Sequence, residues 1–250
     1  MDLPHFLGSV INATDATAIE YAGNFSLGTP VHAAPFFGRV DVASYATVGL
    51  NPSPAEFQQG RWPQSALPLN AHLSRLSDYF VSPSRPYYES WFGVWERALA
   101  PIGKSYFQDT VHLDLSPRAT VPVRSCPDRP LFVKMVAADI RWFFALLAGL
   151  PHIRGLLVAG SSLCMTRNGN TGSVYLDRII RQAGPRFSFE LSRAKCLRQS
   201  GPKIALYHLS RPKRDSIPVL FCGMSPSGNS PGDLIYAVQQ YAALLKRVGF

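Results

Sequence analysis

Five short, continuous apolar runs divide the chain, and helical patterns lie between them. The runs are YATVGL (45–50), TVHLDL (110–115), IRGLLVAG (153–160), KIALYHL (203–209) and PVLFCGM (218–224). Apolar runs of this length without polar alternation are typical of strands that are buried on both faces of a sheet. Because strands alternate with helices, the sequence predicts an α/β fold, and we expect a three-layer α/β/α sandwich around a mainly parallel central sheet.

Three helical segments are clearest, at 90–103, 129–149 and 230–250. The last has Ser230 as a natural N-cap and Pro231 at its first helical position. Its apolar residues recur at steps of four and three, which predicts one buried face with a helical period. These residues are Leu234, Val238, Tyr241, Leu245 and Val248.

No repeat or second domain is evident in the 250 residues, so we expect one domain over residues 1–250. Residues 1–40 are expected to pack on its core as an N-terminal extension, and the segment 63–85, rich in Pro and Ser, predicts a loose connection. No apolar run approaches the roughly 20 residues that a membrane helix needs, and the N-terminus lacks the basic region of a signal peptide. We expect a protein that is not secreted, cytoplasmic in a bacterium or nuclear in a eukaryote.

A formal net charge of +9 favours an anionic partner, most simply nucleic acid. Arg211, Lys213 and Arg214 form one basic cluster, and further basic residues lie just upstream at 193–198. A solvated basic surface is the alternative interpretation. The four cysteines are scattered and form no C-x-x-C pair, so neither a metal nor a cofactor is predicted.

Two polar motifs punctuated by proline follow the first and last predicted strands. They are GLNPSP (49–54) and GMSPSGNSPGD (223–233), and the second leads into the C-terminal helix. Ligands of open parallel sheets bind outside the carboxyl ends of the strands. The two motifs are therefore predicted to line one cleft.

In their order and position, these motifs resemble those of the uracil-DNA glycosylase superfamily, closest to its mismatch-specific and single-strand-selective branches. The first family motif reads G-x-N-P-G, and this chain has Gly49, Leu50, Asn51, Pro52 and Ser53. The second reads H-P-S or N-P-S-G-L-S, and this chain has Ser225, Pro226, Ser227, Gly228, Asn229 and Ser230. The likeness in pattern covers residues 46–248.

The resemblance implies a monomeric DNA-repair enzyme that flips a damaged or deaminated base and hydrolyses its N-glycosidic bond. Asn51 would orient the attacking water, and Gly49, Leu50, Pro52 and Ser53 would form the floor of the base pocket. Phe57 would stack on the base, or else is a core residue.

Further roles follow from the same resemblance for residues 114–116 and 225–230, and from the charge and strand patterns for the histidines and the basic cluster. Asp114 and Ser116, near the end of the second strand, are candidates for reading the base. Residues 225–230 would grip phosphate together with the start of the last helix. His208 would face the DNA beside Arg211, Lys213 and Arg214, whereas His112 is expected to be a core histidine.

The chain also departs from the family pattern. Ser225 replaces a histidine or asparagine, Asn229 replaces a wedge leucine, and Ser53 replaces a glycine. These differences favour, as the alternative, a non-catalytic protein of the same fold that binds nucleic acid or a nucleotide. A serine hydrolase is a third hypothesis, but GMSPSG lacks the G-x-S-x-G nucleophile elbow.

Overall fold

The computed structural model contains an α/β fold built on one large mixed sheet. It describes residues 1–22, 33–57, 62, 67–81, 89–121, 125–165, 168–198, 204–223 and 231–247. The helices are α1 Leu3–Ala16, α2 Ala18–Tyr21, α3 Leu69–Ser77, α4 Val94–Leu99, α5 Arg129–Gly149, α6 Leu176–Ala183 and α7 Pro231–Arg247. The strands are β1 Phe36–Phe37, β2 Tyr45–Gly49, β3 Thr110–Asp114, β4 Gly155–Ala159, β5 Ser161–Met165, β6 Thr171–Tyr175, β7 Glu190–Arg198, β8 Ile204–Arg211 and β9 Arg214–Cys222.

Seven strands form the main sheet in the order β1-β3-β2-β4-β9-β8-β7, and β5 and β6 form a separate hairpin. The four strands β3, β2, β4 and β9 are parallel to one another. The outer strands β1, β8 and β7 each pair antiparallel. The expectation of a mainly parallel sheet is therefore wrong, since half of its pairings are antiparallel.

The physical reason lies in the short connection between β8 and β9. Only Pro212 and Lys213 separate Arg211 from its partner Arg214, and a two-residue turn can join strands only in antiparallel fashion. Lys213 adopts the left-handed conformation, with φ of 54°, which such a tight turn requires. The sequence runs at 203–209 and 218–224 are correctly predicted strands, but their mutual direction is set by this turn.

The predicted helices agree well with the structure. The central helix covers Arg129–Gly149, with the side chain of Asp128 capping its N-terminus by accepting from the backbone N–H of Leu131. In α7, the predicted face is buried at Leu234, Val238, Tyr241 and Leu245, while Val248 lies outside the described residues. The loose connection expected at 63–85 is wrong in part, because it contains α3 (Leu69–Ser77).

The order of the parallel strands places a switch point beside β2, where a ligand crevice is expected. The chain passes from β2 to β3 on one side and then returns to β4 on the other side of β2. Connections that leave two neighbouring strands in opposite directions open a crevice outside their carboxyl ends. Here that switch point lies between β2 and β4, beyond Gly49 and Ala159, and Gly160 turns the chain away from it with φ of 110°.

The N-terminal helix is part of the core. Phe6, Leu7 and Val10 of α1 belong to the same buried apolar cluster as the sheet, and the Phe6 ring packs edge-on against Trp142 of α5. None of the described helices has both the length and the apolar character to span a membrane.

Close packing at Gly155, the first residue of β4, can be tested by one methyl group. A Cβ at this position would lie 2.7 Å from Cε1 of Tyr45 and would also strike the Tyr241 hydroxyl. We expect Gly155→Ala to lower the free energy of unfolding in urea by about 1–3 kcal/mol through overpacking. The matched control is Gly232→Ala in α7, where a Cβ meets nothing within 4 Å. The control should be neutral or stabilising by up to about 1 kcal/mol, and equal effects at both positions would contradict the packing at Gly155.

Candidate functional site

Asn51 lies just beyond the end of β2, at the carboxyl edge of the parallel strands where the crevice is expected. Its Nδ2 donates to the carbonyl oxygen of Arg118 and to Thr120 Oγ1, each at 3.0 Å, with a longer contact of 3.3 Å to the Pro52 carbonyl. Because a carbonyl oxygen can only accept, these partners fix which end of the amide is nitrogen. The amide hydrogens hold the loop after β3, and the remaining chemistry of the side chain is that of an acceptor, through Oδ1.

The loop that holds Asn51 is itself anchored by a buried ion pair. Arg118 is 5% exposed and donates from Nε to Asp139 Oδ2 of α5 at 2.9 Å. Its two other nitrogens reach the N-terminal region, where they donate to the Thr14 carbonyl at 2.9 Å and to Thr17 Oγ1 at 2.7 Å. The Arg118 side chain thus joins three parts of the chain behind Asn51.

Ser116 belongs to this anchor and not to the crevice surface. It is fully buried, and its hydroxyl donates to Asp139 Oδ2 at 2.7 Å. The resemblance makes Ser116 a candidate for reading a base. In the structure, however, its hydroxyl hydrogen is already used in the hydrogen bond to the buried Asp139 carboxylate.

A buried chain of polar groups runs beneath Gly49. His112 Nε2 lies 3.3 Å from Asp114 Oδ1, and His112 Nδ1 lies 2.9 Å from Thr47 Oγ1. Thr47 Oγ1 is in turn 2.6 Å from the Tyr106 hydroxyl. All four groups are almost fully buried, so this series of hydrogen bonds lies in the core beneath Gly49.

Gly49 makes room for this pair. A Cβ on Gly49 would lie 3.0 Å from Asp114 Oδ1 and 3.1 Å from the His112 ring. Gly49 and Asp114 are directly paired in the parallel register, which places both at the carboxyl end of the sheet. The glycine predicted for the pocket floor is therefore needed for close approach of a carboxyl group.

Asp114 is a buried acid with one unused oxygen. Its side chain is 1% exposed, and no described residue forms a hydrogen bond with its Oδ2. Burial raises the pKa of Asp114 above its ordinary value, and the neighbouring His112 opposes this only in part. When it is protonated, this carboxyl group can donate as well as accept a hydrogen bond.

The remaining residues of the first motif divide between crevice and core. Leu50 and Ser53 are half-buried and Pro52 is buried. Phe57 is 1% exposed, and its ring packs edge-on against Trp62 at 5.3 Å between centroids. Phe57 is therefore a core residue, which was the alternative to stacking on a base, and its ring has no open face for such stacking.

The structure does not bring the basic cluster to Asn51. Arg214 opens β9 and precedes Cys222 by eight residues, about 27 Å at about 3.4 Å per residue. Cys222 pairs with Ala159 at the carboxyl end of β4, so Arg211, Lys213 and Arg214 lie at the opposite end of the sheet. The Arg211 side chain also forms hydrogen bonds within the protein, donating to the carbonyl oxygens of Asp215 and Ile153. His208 is half-buried within β8, where it pairs with Pro218 of β9.

The second motif, Ser225, Pro226, Ser227, Gly228, Asn229 and Ser230, lies outside the described residues.

Sequence reasoning missed Arg118, Thr120 and Asp139, which hold Asn51. One signal was present, since Asp139 is an acid within the largely apolar helix α5, where a buried charge requires a partner. Within the described part of the chain, no group of three or more His, Cys, Asp or Glu side chains could hold a metal ion.

Comparison with known proteins gives no matching family model, no similar curated protein and no similar solved structure.

The raised pKa of Asp114 predicts a pH-dependent stability. The folded protein holds this proton to higher pH than the unfolded chain, whose carboxyl pKa is near 3.8. The stabilisation from the proton is complete below that value and is lost as pH rises through the raised folded-state pKa. The amide in the variant Asp114→Asn cannot ionise. We therefore expect the stability of the wild type relative to this variant to fall as pH rises from about 4 through the folded-state pKa.

Urea denaturation at several pH values measures this difference. Asp15→Asn, at an exposed site, controls for the loss of one carboxylate. A difference between wild type and Asp114→Asn that is independent of pH would contradict the buried acid.

The anchor of Asn51 predicts a large loss of stability when one ion is removed. Arg118→Met leaves Asp139 buried without its partner, and we expect a loss of about 3–5 kcal/mol in the free energy of unfolding. The control is Arg39→Met, which breaks the surface pair with Asp41, about half exposed on each side, and should cost at most about 1 kcal/mol. Combining Arg118→Met with Asp139→Leu should recover part of the lost stability. Similar losses of stability for Arg118→Met and Arg39→Met would contradict the buried anchor.

Proposed function

We propose that the protein is a DNA glycosylase that hydrolyses the N-glycosidic bond of a flipped damaged or deaminated base, such as uracil. The observation that carries the proposal is the position of Asn51. It stands at the switch-point crevice between β2 and β4, the place where ligands of such sheets bind. The three-layer α/β/α sandwich, expected from the alternation of strands and helices, and a monomeric state belong to the same proposal.

The fixed orientation of Asn51 supports a catalytic role. Two hydrogen bonds of 3.0 Å restrain the amide, so Oδ1 has a defined direction without help from substrate. An oriented acceptor can hold an attacking water by one of its hydrogens. Asn51 would therefore position the water that attacks the sugar carbon while the base departs.

Asp114 supplies a second group suited to this chemistry. Its carboxyl group lies close to Gly49 at the end of β2, and burial raises its pKa. A protonated carboxyl can donate to a carbonyl oxygen or ring nitrogen of a base, where negative charge develops as the glycosidic bond breaks. His112, bonded to Asp114 Oδ1, would hold this group in position.

One observation favours the second candidate, a protein that binds nucleic acid or a nucleotide without cleaving it. Both amide hydrogens of Asn51 bind within the protein, to Arg118 and Thr120, which gives this side chain a structural task. A binding module needs only the crevice and this fixed loop. The two candidates differ in whether a base is released.

Base release is measured with labelled duplex and single-stranded oligonucleotides that carry uracil, hypoxanthine, or T or U opposite G. Alkali-labile strand breaks report excision. We expect the wild type to excise at least one of these bases and Asn51→Ala to be slower by about 100-fold or more, since a positioned group contributes about 10²–10⁴ to rate. Binding of the same oligonucleotides by fluorescence anisotropy should change little.

Asn70→Ala, on the exposed side of α3, is the matched control and should excise at the wild-type rate. Excision by Asn51→Ala at the wild-type rate would remove the catalytic role of Asn51. Absence of excision on every substrate with intact binding would favour the second candidate, and absence of both would overturn the nucleic-acid function.

A further inference from the structure

The positive charge of the chain is concentrated in one segment. Residues 176–214, termed here the basic lobe, contain ten Lys and Arg residues and two Asp and Glu residues, a net charge of +8 out of the total of +9. The rest of the molecule is thus nearly neutral. Since net charge could have been spread over the whole surface, this segregation requires its own explanation.

The charges of the basic lobe are presented to solvent. Seven of its cationic side chains are exposed: Arg178, Arg181, Arg186, Arg193, Lys195, Lys213 and Arg214. Its two acids do little to neutralise them, because Asp177 is buried and bonded to the Tyr207 hydroxyl, and Glu190 is a single exposed carboxylate. The surface is therefore strongly cationic.

Three of the exposed cations lie near the buried Tyr207. The guanidinium of Arg181 lies 5.3 Å from the centre of the Tyr207 ring. Arg193 is the cross-strand partner of Tyr207, so both side chains leave the same face of the sheet. Arg178 lies three residues before Arg181 in α6, on the same side of that helix.

The lobe extends from Tyr207 to the turn between β8 and β9. Tyr207 precedes Arg211 by four residues in β8, which is about 14 Å along the strand. The rise of duplex DNA is about 3.4 Å per base pair, so this length matches about four base pairs of backbone. This turn lies at the end of the sheet opposite Asn51, whereas α6 begins at the other end, where the Leu176 N–H donates to the Gly160 carbonyl oxygen at 3.2 Å. The lobe therefore runs along the sheet from the level of the crevice to the opposite end.

We propose that the seven exposed cations of the basic lobe form a second contact surface, which binds the phosphate backbone of duplex DNA in addition to the crevice. Five of its seven exposed cations are arginines, whose planar guanidinium suits paired phosphate oxygens. Among the described residues of the lobe, no large apolar side chain is exposed, and this favours a phosphodiester backbone over a lipid surface, where such side chains would insert. The choice of DNA as the polymer rests on the proposed function, whereas the phosphate chemistry does not.

The test is fluorescence anisotropy with an undamaged, labelled 24-base-pair DNA duplex over a range of about 50–300 mM NaCl. The lobe variant carries Arg178→Gln, Arg193→Gln and Arg214→Gln. The control variant carries Arg39→Gln, Arg129→Gln and Arg141→Gln, three exposed arginines elsewhere with the same loss of charge. Thermal unfolding confirms that both variants fold.

Each lost phosphate contact lowers the slope of log Kd against log salt by about 0.9. We expect the lobe variant to lower the slope by about 2–3 and to bind at least about tenfold more weakly near 0.1 M salt. The control variant should stay within about twofold of the wild type. Equal losses in both variants, or no loss in the lobe variant, would overturn the proposal.

Two further arms test the identity of the partner. Nucleic acid would be overturned as the partner if the protein bound phosphatidylserine vesicles more tightly than DNA and the lobe variant lost this binding. DNA would be overturned if the protein bound a duplex RNA of equal length more tightly. Base excision is followed separately. Loss of excision in Asn51→Ala with normal DNA binding separates failure at the crevice from failure at the lobe.

Discussion

The arrangement at the crevice depends on the buried ion pair between Arg118 and Asp139. Arg118 binds Asp139 in α5 and the Thr14 carbonyl at the end of α1 with its side chain, and its own carbonyl oxygen accepts from Asn51. A buried charge pair is costly to desolvate, and it persists where its geometry saturates both partners with hydrogen bonds. Here those bonds fix the loop after β3 relative to two helices. The first residues of the chain thus contribute to the geometry of Asn51, although they lie far from it in sequence.

Much of the fold could be predicted from the sequence because its signals are local. The five apolar runs coincide with β2, β3, β4, β8 and β9, and the capped helix at Arg129–Gly149 has the predicted bounds. The direction of β8 could not be read from its own residues, since an apolar run is the same in either direction. The antiparallel direction of β8 follows from the two-residue turn at Pro212 and Lys213. In the sequence this turn lies among basic residues, which makes the hairpin signal hard to recognise.

The candidate site was predictable only in part, for a similar reason. The position of Asn51 after a buried strand is local information, and it led to the crevice. The partners of Asn51 are not local, because Arg118 and Thr120 are separated from it by 67 and 69 residues. Residue type also did not reveal burial. Phe57 and Ser116 are suitable in kind for a base pocket, but packing against Trp62 and bonding to Asp139 place them in the interior.

Strand direction also determines how charge and chemistry are distributed over the molecule. Parallel strands gather their carboxyl ends at one edge, and there Gly49, Asn51 and Asp114 meet. The antiparallel hairpin of β8 and β9 carries its turn to the other edge, and with it Arg211, Lys213 and Arg214. Burial raises the pKa of Asp114, His112 opposes this in part, and a further cation nearby would lower the pKa more. The mixed direction of the strands therefore keeps Arg211, Lys213 and Arg214 away from the buried carboxyl group of Asp114.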